Sequence, residues 1–518
     1  MKRIALPAVL LAALFVSALG LTADDKVRLK LLCINDFHGS ILQTVEIAGR
    51  PVGGAACLAA WLKEREAAWA NTLKISAGDA IGASQPISAL FGDEPTIELL
   101  NAMGFDLACP GNHEFDRGFA EMKRLYHGGQ TDATGNFAGA SFPLLAANIV
   151  DAKSGIPVLP PYTIMDIESV PVAFIGAVTS ETPSIVMAGS VKGLSFLSPV
   201  EAINGYVKKI LKKGVKTIVV LAHEGGAQNA DGRIVGPIAE IARGLNGAVD
   251  LIISGHSHTL LNGFVGGKLI VQAGSKGTAF ADVDLVLDKA TGDVVSAKAE
   301  IVTVWSDGKR EDRKIAGLIA PWAKSTQPLI EKKIATAAKE ITRTANESGE
   351  SALGDLIAEA QKWGCKTRIA FVNPGGIRRD LPAGDLSWGM LFECQPFGNM
   401  LMRFKMSGDQ IRRVLNQQWT SKRILQIAGI KYGWDGRKPS GDRITSLTLS
   451  DGMPIEKNKL YDVAANNYLS AGGDGFSVFR EAAGQTAVLN DLDALTAYLQ
   501  AFPQATVTGM DGRILKIY

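Results

Sequence analysis

The stretch VRLKLLCINDFHG, Val27–Gly39, decides the fold. It reads as a short apolar strand that stops at Asn35 and delivers Asp36 and His38, two residues apart, to a loop. The same pattern recurs along the first half of the chain. TLKISAGDA ends on Asp79, VKTIVVLAHEGG on His223, and VDLIISGHSH on His256 and His258. PVAFIGAVTS and KLIVQAGS are further apolar strands, and the turn CPGNHEFDRG holds Asn112, His113 and Asp116. Amphipathic stretches such as AACLAAWLKEREAAWA and SPVEAINGYVKKILKKG lie between them, the second closing on Lys, Lys and Gly as helix ends do. Strands alternating with helices predict an α/β layer fold around a buried sheet.

In such sheets ligands gather beyond the carboxyl ends of the strands. Five ends here carry carboxylate, amide or imidazole, and none carries thiolate. Of the six histidines, only His127 lies elsewhere. One histidine at a strand end is ordinarily a polar tip satisfied by a neighbour; five together are not explained that way. Nitrogen and oxygen donors of this kind suit zinc, manganese or cobalt. Their number suggests two divalent ions sharing a carboxylate, roughly 3.5–4 Å apart, the arrangement of two-metal phosphatases and nucleases.

The 518 residues exceed what one core accommodates, so at least two domains are expected. Basic and acidic residues nearly cancel, at 54 against 52, and show neither a nucleic-acid footprint nor a membrane-surface stripe. No nucleic acid polymer is therefore expected as partner. The opening MKRIALPAVLLAALFVSALGLTADDK has a basic start, an apolar run short of a membrane span, and small residues at Ala18–Gly20. It predicts a cleaved export signal over residues 1–23, with the cut after Gly20 or Ala23. An exported protein, periplasmic or extracellular, without a stable membrane anchor follows from that reading. The five cysteines cannot all pair; a Cys365–Cys394 bridge and free buried thiols both remain open.

A charged stretch without strand signals, Arg310–Ile341, reads as a helical connector. A second α/β pattern begins near SALGDLIAEAQKWG. The expected organisation is thus 24–309, 310–345 and 346–518. In the last part NPGGIRRD, QPFGN and NNYLSAGGDGF are turn-rich; Arg378 there is suited to fork onto an anion, and Phe397 and Tyr468 to stack on a base.

Taken in order, INDFHG, SAGDA, GNHEFDRG, LAHEGG and GHSH resemble the metallophosphoesterase signature in its 5'-nucleotidase form. NPGGIR, QPFGN and YLSAGGDGF resemble that family's own C-terminal domain. The resemblance spans nearly the whole mature chain and implies an αββα metallophosphoesterase sandwich, a helical connector and an α/β substrate-reading domain. It implies one metal on Asp36, His38 and His258, with Asp79 bridging, and a second on Asp79, Asn112, His223 and His256. His113 matches the family's catalytic histidine and Asp116 the acid that orients it. Asn373, Arg378, Phe397, Asn399, Tyr468 and Asp474 match substrate contacts. Tyr468 stands where Phe is usual. The arginine that some members carry shortly before LGDL is missing, and Arg379 or Arg403 is a candidate replacement.

The implied activity is hydrolysis of nucleoside 5'-monophosphates to nucleoside and phosphate by metal-activated water. A 2',3'-cyclic-nucleotide phosphodiesterase or a UDP-sugar pyrophosphatase on the same scaffold is the alternative. A binding protein that lost its chemistry is disfavoured, because every ligand position is filled. A monomer or weak dimer is expected, with a nucleotide as its partner.

Overall fold

Strand β1, Lys26–Ile34, sets the layering. Leu29, Leu31 and Cys33 project to one side, into a core shared with Phe174, Val219 and Ile253. Leu32 and Ile34 project to the other, toward Leu58, Ile97 and Leu100. A strand buried on both faces needs a layer on each. The computed structural model describes residues 25–518 except 44, 132–134, 307, 309 and 508; the expected export signal lies outside the described residues.

β1 runs parallel to β2 (Thr72–Ala77), and β2 parallel to β3 (Leu107–Cys109). A second sheet follows, from β4 (Tyr162–Ile167), β5 (Val170–Val178), β6 (Thr217–His223), β7 (Leu251–Ser254), β8 (Leu260–Val265) and β9 (Lys268–Ala273). Its order is β8-β9-β7-β6-β5-β4, with parallel pairing from β5 through β6 and β7 to β9. The chain then returns as the antiparallel pair β10 (Ala279–Asp288) and β11 (Val294–Thr303), completing the first sheet as β11-β10-β1-β2-β3. Helices α1 (Ala55–Glu66), α2 (Glu94–Met103) and α3 (Phe119–His127) cover the outside of the first sheet. Helices α4 (Pro199–Lys212) and α5 (Pro237–Gly244) cover the second. The expected αββα sandwich is what the chain forms. Its register carries the ends of β1, β2, β3, β6 and β7 to one edge, where the two sheets meet.

The connector departs from its expectation. Helix α6 spans Arg313–Ile330, capped by the Asp312 carboxylate, which accepts from the N–H groups of Lys314 and Ile315 at 2.9 and 3.1 Å. Ile315 and Ile319 bury against the first domain, and the Trp322 ring lies 4.6 Å from that of Phe91. The helix predicted as far as Ile341 stops at Ile330. Lys333–Ala337 is strand β12, paired antiparallel with Gly384–Ser387. Its partner lies some fifty residues downstream, so no local pattern announces it, and burial of Ile334 and Ala337 overrides the charged composition.

The second domain carries β13 (Ile369–Val372), β14 (Met400–Ser407), β15 (Gln426–Ala428), β16 (Leu460–Asn466) and β17 (Ala483–Asn490), in the order β15-β13-β16-β14-β17. Helices α7 (Ala352–Cys365) and α9 (Asp491–Ala501) pack on one face, and α8 (Gly408–Ser421) on the other. All five cysteines are buried and free, so the Cys365–Cys394 bridge does not form. Among the described residues no helix is long and apolar enough to cross a membrane.

Candidate active site

The loops that follow β1 and β2 are stitched together by backbone. Asp36 N–H donates to the Gly78 carbonyl and His38 N–H to the Asp79 carbonyl, both at 2.9 Å. Asp36 (φ 49°), His38 (φ 49°), Asp79 (φ 51°), His256 (φ 72°) and His258 (φ 57°) all occupy the left-handed region, which non-glycine residues enter at a cost. Five of the seven expected ligands thus stand on strained backbone, a concentration that marks a site. Gly111 permits the close approach: a Cβ there would lie 2.1 Å from Asp79 Oδ1.

Asp36, His38 and His258 bring one donor atom each within 4.8 Å of one another, as do Asp79, His223 and His256. Asp36 Oδ1 lies 3.2 Å from His258 Nε2, and Asp79 Oδ2 lies 3.2 Å from His223 Nε2 and 3.9 Å from His38 Nε2. Asp79 therefore stands between the two groups. His38 Nδ1 donates to the Gly82 carbonyl and His223 Nδ1 to the Ala77 carbonyl, both at 2.8 Å. Those carbonyls hold a proton on Nδ1 and turn each Nε2 toward the cluster. His38 Nε2 and His258 Nε2 face each other at 3.1 Å, an arrangement that needs a proton or a cation between them.

One atom makes the same point by being unsatisfied. Asn112 Oδ1 is buried without a hydrogen-bond partner. A buried polar atom left unpaired costs about 1–3 kcal/mol, and Asn112 belongs to the group expected to hold the second ion. Burial holds His38 well below the usual imidazole range and His256 down at about 4, so both are neutral, the ligating form. Burial opposes protonation of His223 too, but the Asp79 carboxylate outweighs it and pushes His223 up to about 10. That pair holds a proton which a cation would displace. The donor set fits two divalent ions.

His113 lies beside this cluster, its Nδ1 sharing a 2.8 Å hydrogen bond with Asp116 Oδ2. Burial works against the imidazolium, but Asp116 and Asp79 outweigh it and raise the pKa. Glu114 is the residue that sequence reasoning missed. Its buried carboxylate accepts from the backbone N–H groups of Asp79 and Ala80 at 2.9 Å and from that of Gly111, tying the β2 and β3 loops together. Only its place inside GNHEFD hinted at a role.

The second domain closes over the same edge. A cavity of about 580 Å³ is lined by Asp79, Asn112 and His113 on one side and by Arg378, Phe397 and Tyr468 on the other. Asn373, Asn399 and Asp474 line it too, so all six expected substrate contacts share one space with the cluster. The Phe397 ring stacks on His113 at 5.7 Å and 12°. Tyr468 Oη lies 3.1 Å from the Ser184 carbonyl of the first domain and 2.9 Å from Asp474 Oδ1, two acceptors for its single proton, and accepts from the Asp474 backbone N–H at 2.9 Å. Asn399 Nδ2 donates to Asp491 Oδ2 at 3.2 Å. The candidate replacement arginines do not reach the cavity: Arg379 pairs with Glu393, and Arg403 with Asp462 at 3.4 Å. Arg423 and Asn467 line it instead; Arg423 lies outside every motif, whereas Asn467 stands inside NNYLSAGGDGF next to Tyr468 without a pattern that singled it out.

Residues 29–260 match the calcineurin-like phosphoesterase family, and residues 333–481 match the 5'-nucleotidase C-terminal domain. The chain is also 34% identical, over 95% of its length, to the cell wall protein Lmo0130 of Listeria monocytogenes, of which it covers 69%. It belongs to the calcineurin-like phosphoesterases that carry a 5'-nucleotidase C-terminal domain. The phosphoesterase is 36% identical, over 95% of its length, to the endonuclease YhcR of Bacillus subtilis, but spans only 41% of that protein. Among solved structures it resembles the 5'-nucleotidase precursor of Thermus thermophilus at 27% identity, with a TM-score of 0.79, covering 95% of this chain and 99% of the other.

Proposed function

We propose that this phosphoesterase is an exported 5'-nucleotidase, hydrolysing nucleoside 5'-monophosphates to nucleoside and inorganic phosphate. The observation that carries the reading is one cavity shared by the Asp–His cluster and by Phe397, Arg378 and Tyr468 of the second domain. Asp36, His38, Asp79, Asn112, His223, His256 and His258 are the residues to hold two divalent ions. When bound, such a pair supplies positive charge to a phosphoryl group and acidifies water. The Arg378 guanidinium, within electrostatic reach of Asp79 and Asp116, steers the phosphate to the cluster.

Water adds to phosphorus, the bond from phosphorus to the 5'-oxygen breaks, and the leaving oxygen takes a proton. His113 donates that proton: Asp116 holds its Nδ1, so Nε2 is the nitrogen free for the cavity. Phe397 and Tyr468 present aromatic faces to the base. Among the described residues Asp474 is the one carboxylate lining the cavity from the second domain, and it accepts from the sugar hydroxyls. Export rests on the basic-then-apolar start of the chain. Turnover of AMP, UMP, a 2',3'-cyclic nucleotide and UDP-glucose, with metal restored after chelation and products separated by chromatography, tests the reading. The monophosphates give nucleoside and phosphate, the cyclic diester a nucleoside monophosphate, and UDP-glucose UMP and glucose 1-phosphate. Preference for the monophosphates supports it. Preference for the cyclic diester or the sugar nucleotide replaces it with the sibling activity.

A further inference from the structure

Beside the cavity, on the far side of the Pro374–Ile377 turn, lies a groove of about 270 Å³ that shares Arg423 with it. Its lining includes Arg343, Lys422 and Arg423 and, among the described residues, no carboxylate. Two acids lie just outside. Asp380 is 3.8 Å from Arg343 Nε, and Asp474 is 3.7 Å from Arg423 Nε. Arg343 also donates through Nη1 to the Ile377 carbonyl at 3.2 Å, which fixes one edge of the guanidinium and leaves the rest of the fork available. Lys422 sits at the end of α8 with φ 56°, in the left-handed region that turns the chain sharply into Arg423. A concave, carboxylate-free surface with three cations is an anion receptor by composition.

Its position says which anion. If a nucleotide lies with its 5'-phosphate at the Asp–His cluster, its sugar hydroxyls face Asp474. A group carried on the 3'-oxygen then points past Asp474 toward Arg423 and the groove. We propose that this groove is a subsite for a second phosphate, borne on the 3'-oxygen of the nucleotide whose 5'-phosphate is hydrolysed. The inference rests on the 5'-nucleotidase reading and names its substrate class: nucleoside 3',5'-bisphosphates. In the reaction only the bond from phosphorus to the 5'-oxygen breaks, and water supplies the hydroxyl and the proton. The products are inorganic phosphate and a nucleoside 3'-phosphate, which keeps its second phosphate in the groove. A 5'-phosphorylated dinucleotide offers the same chemistry as a diester, so the two sources need separate arms.

The test compares kcat/KM for AMP, adenosine 3',5'-bisphosphate and a 5'-phosphorylated diadenylate on the metal-restored full chain. It does so in wild type, Lys422→Asn and Arg423→Ala. Asn tolerates the left-handed backbone at 422, so the first variant removes charge without straining the turn. The bisphosphate is expected to exceed AMP by about tenfold, what one charge-assisted hydrogen bond is worth. Lys422→Asn should erase most of that margin while AMP turnover stays within about twofold. A diadenylate that shares the margin places the diester in the groove as well; one that does not confines the site to a terminal phosphate. Equal turnover of AMP and bisphosphate by wild type, or a Lys422→Asn variant that lowers both alike, overturns the subsite while leaving the nucleotidase reading intact. Arg423 also lines the substrate cavity, so Arg423→Ala is read only by the ratio of bisphosphate to AMP, which should fall toward one. No release from AMP with any metal overturns that reading, and the subsite with it.

Discussion

His113 stands where three constraints meet: the Asp116 carboxylate on Nδ1, the Asp79 carboxylate accepting its backbone N–H at 2.8 Å, and the Phe397 ring stacked over it. Removing its imidazole should therefore cost turnover and little else. His113→Ala is expected to lower kcat by about 10²–10⁴, with bound metal unchanged by elemental analysis. Gly111 predicts the opposite split. Its substitution by Ala drives a methyl into Asp79 Oδ1, so metal binding should be lost while the circular dichroism spectrum is retained. At this scale the sequence was most legible where residue type is chemistry. The residues expected as ligands and the His113–Asp116 pair stood out because imidazoles, carboxylates and an amide followed apolar strands. Glu114 did not, since its task is to accept backbone N–H groups, which no side-chain pattern records. Arg423 and Asn467 were hidden because only the packing of the second domain brings them to the cavity.

Among the elements, the parallel strands were legible because period-two burial on both faces writes continuous apolar runs. Strand β12 was not, being a short edge paired to a distant segment under a charged sequence. The turn before β7 carries a pH signature. Burial, helped by Asp293, pushes Asp250 up to about 7 although it accepts from Ile218 N–H at 2.9 Å. The unfolded carboxyl titrates near ~4. Between roughly pH 4 and 7 the folded protein keeps a proton that the unfolded chain has lost, so this residue's contribution to stability falls as pH rises through that window. Asp250→Asn should show a smaller drop in melting temperature from pH 5 to pH 8 than wild type. The Tyr468–Ser184 hydrogen bond links the two domains at the cavity mouth. Tyr468→Phe keeps the ring and deletes that link and the one to Asp474. KM for AMP should rise by about tenfold while kcat stays within about twofold.

For the molecule as a whole, two domains that each bury their own core meet at one charged edge. Neither alone holds both the Asp–His cluster and the aromatic pair. The two-domain organisation was legible from length and from motif order. The way the second domain seats Phe397 on His113 was not, because it depends on contacts between residues almost three hundred apart. The His223–Asp79 proton predicts that metal uptake releases protons and strengthens as pH rises. Calorimetry in buffers of different ionisation enthalpy would show this. The most direct test of the central claim is to chelate the full chain, titrate metal back, and follow phosphate release from AMP against bound metal. The account predicts no release from the chelated protein and full activity near two ions per chain. Chelated protein that still hydrolyses AMP, or protein carrying two ions that releases no phosphate from it, would contradict the account.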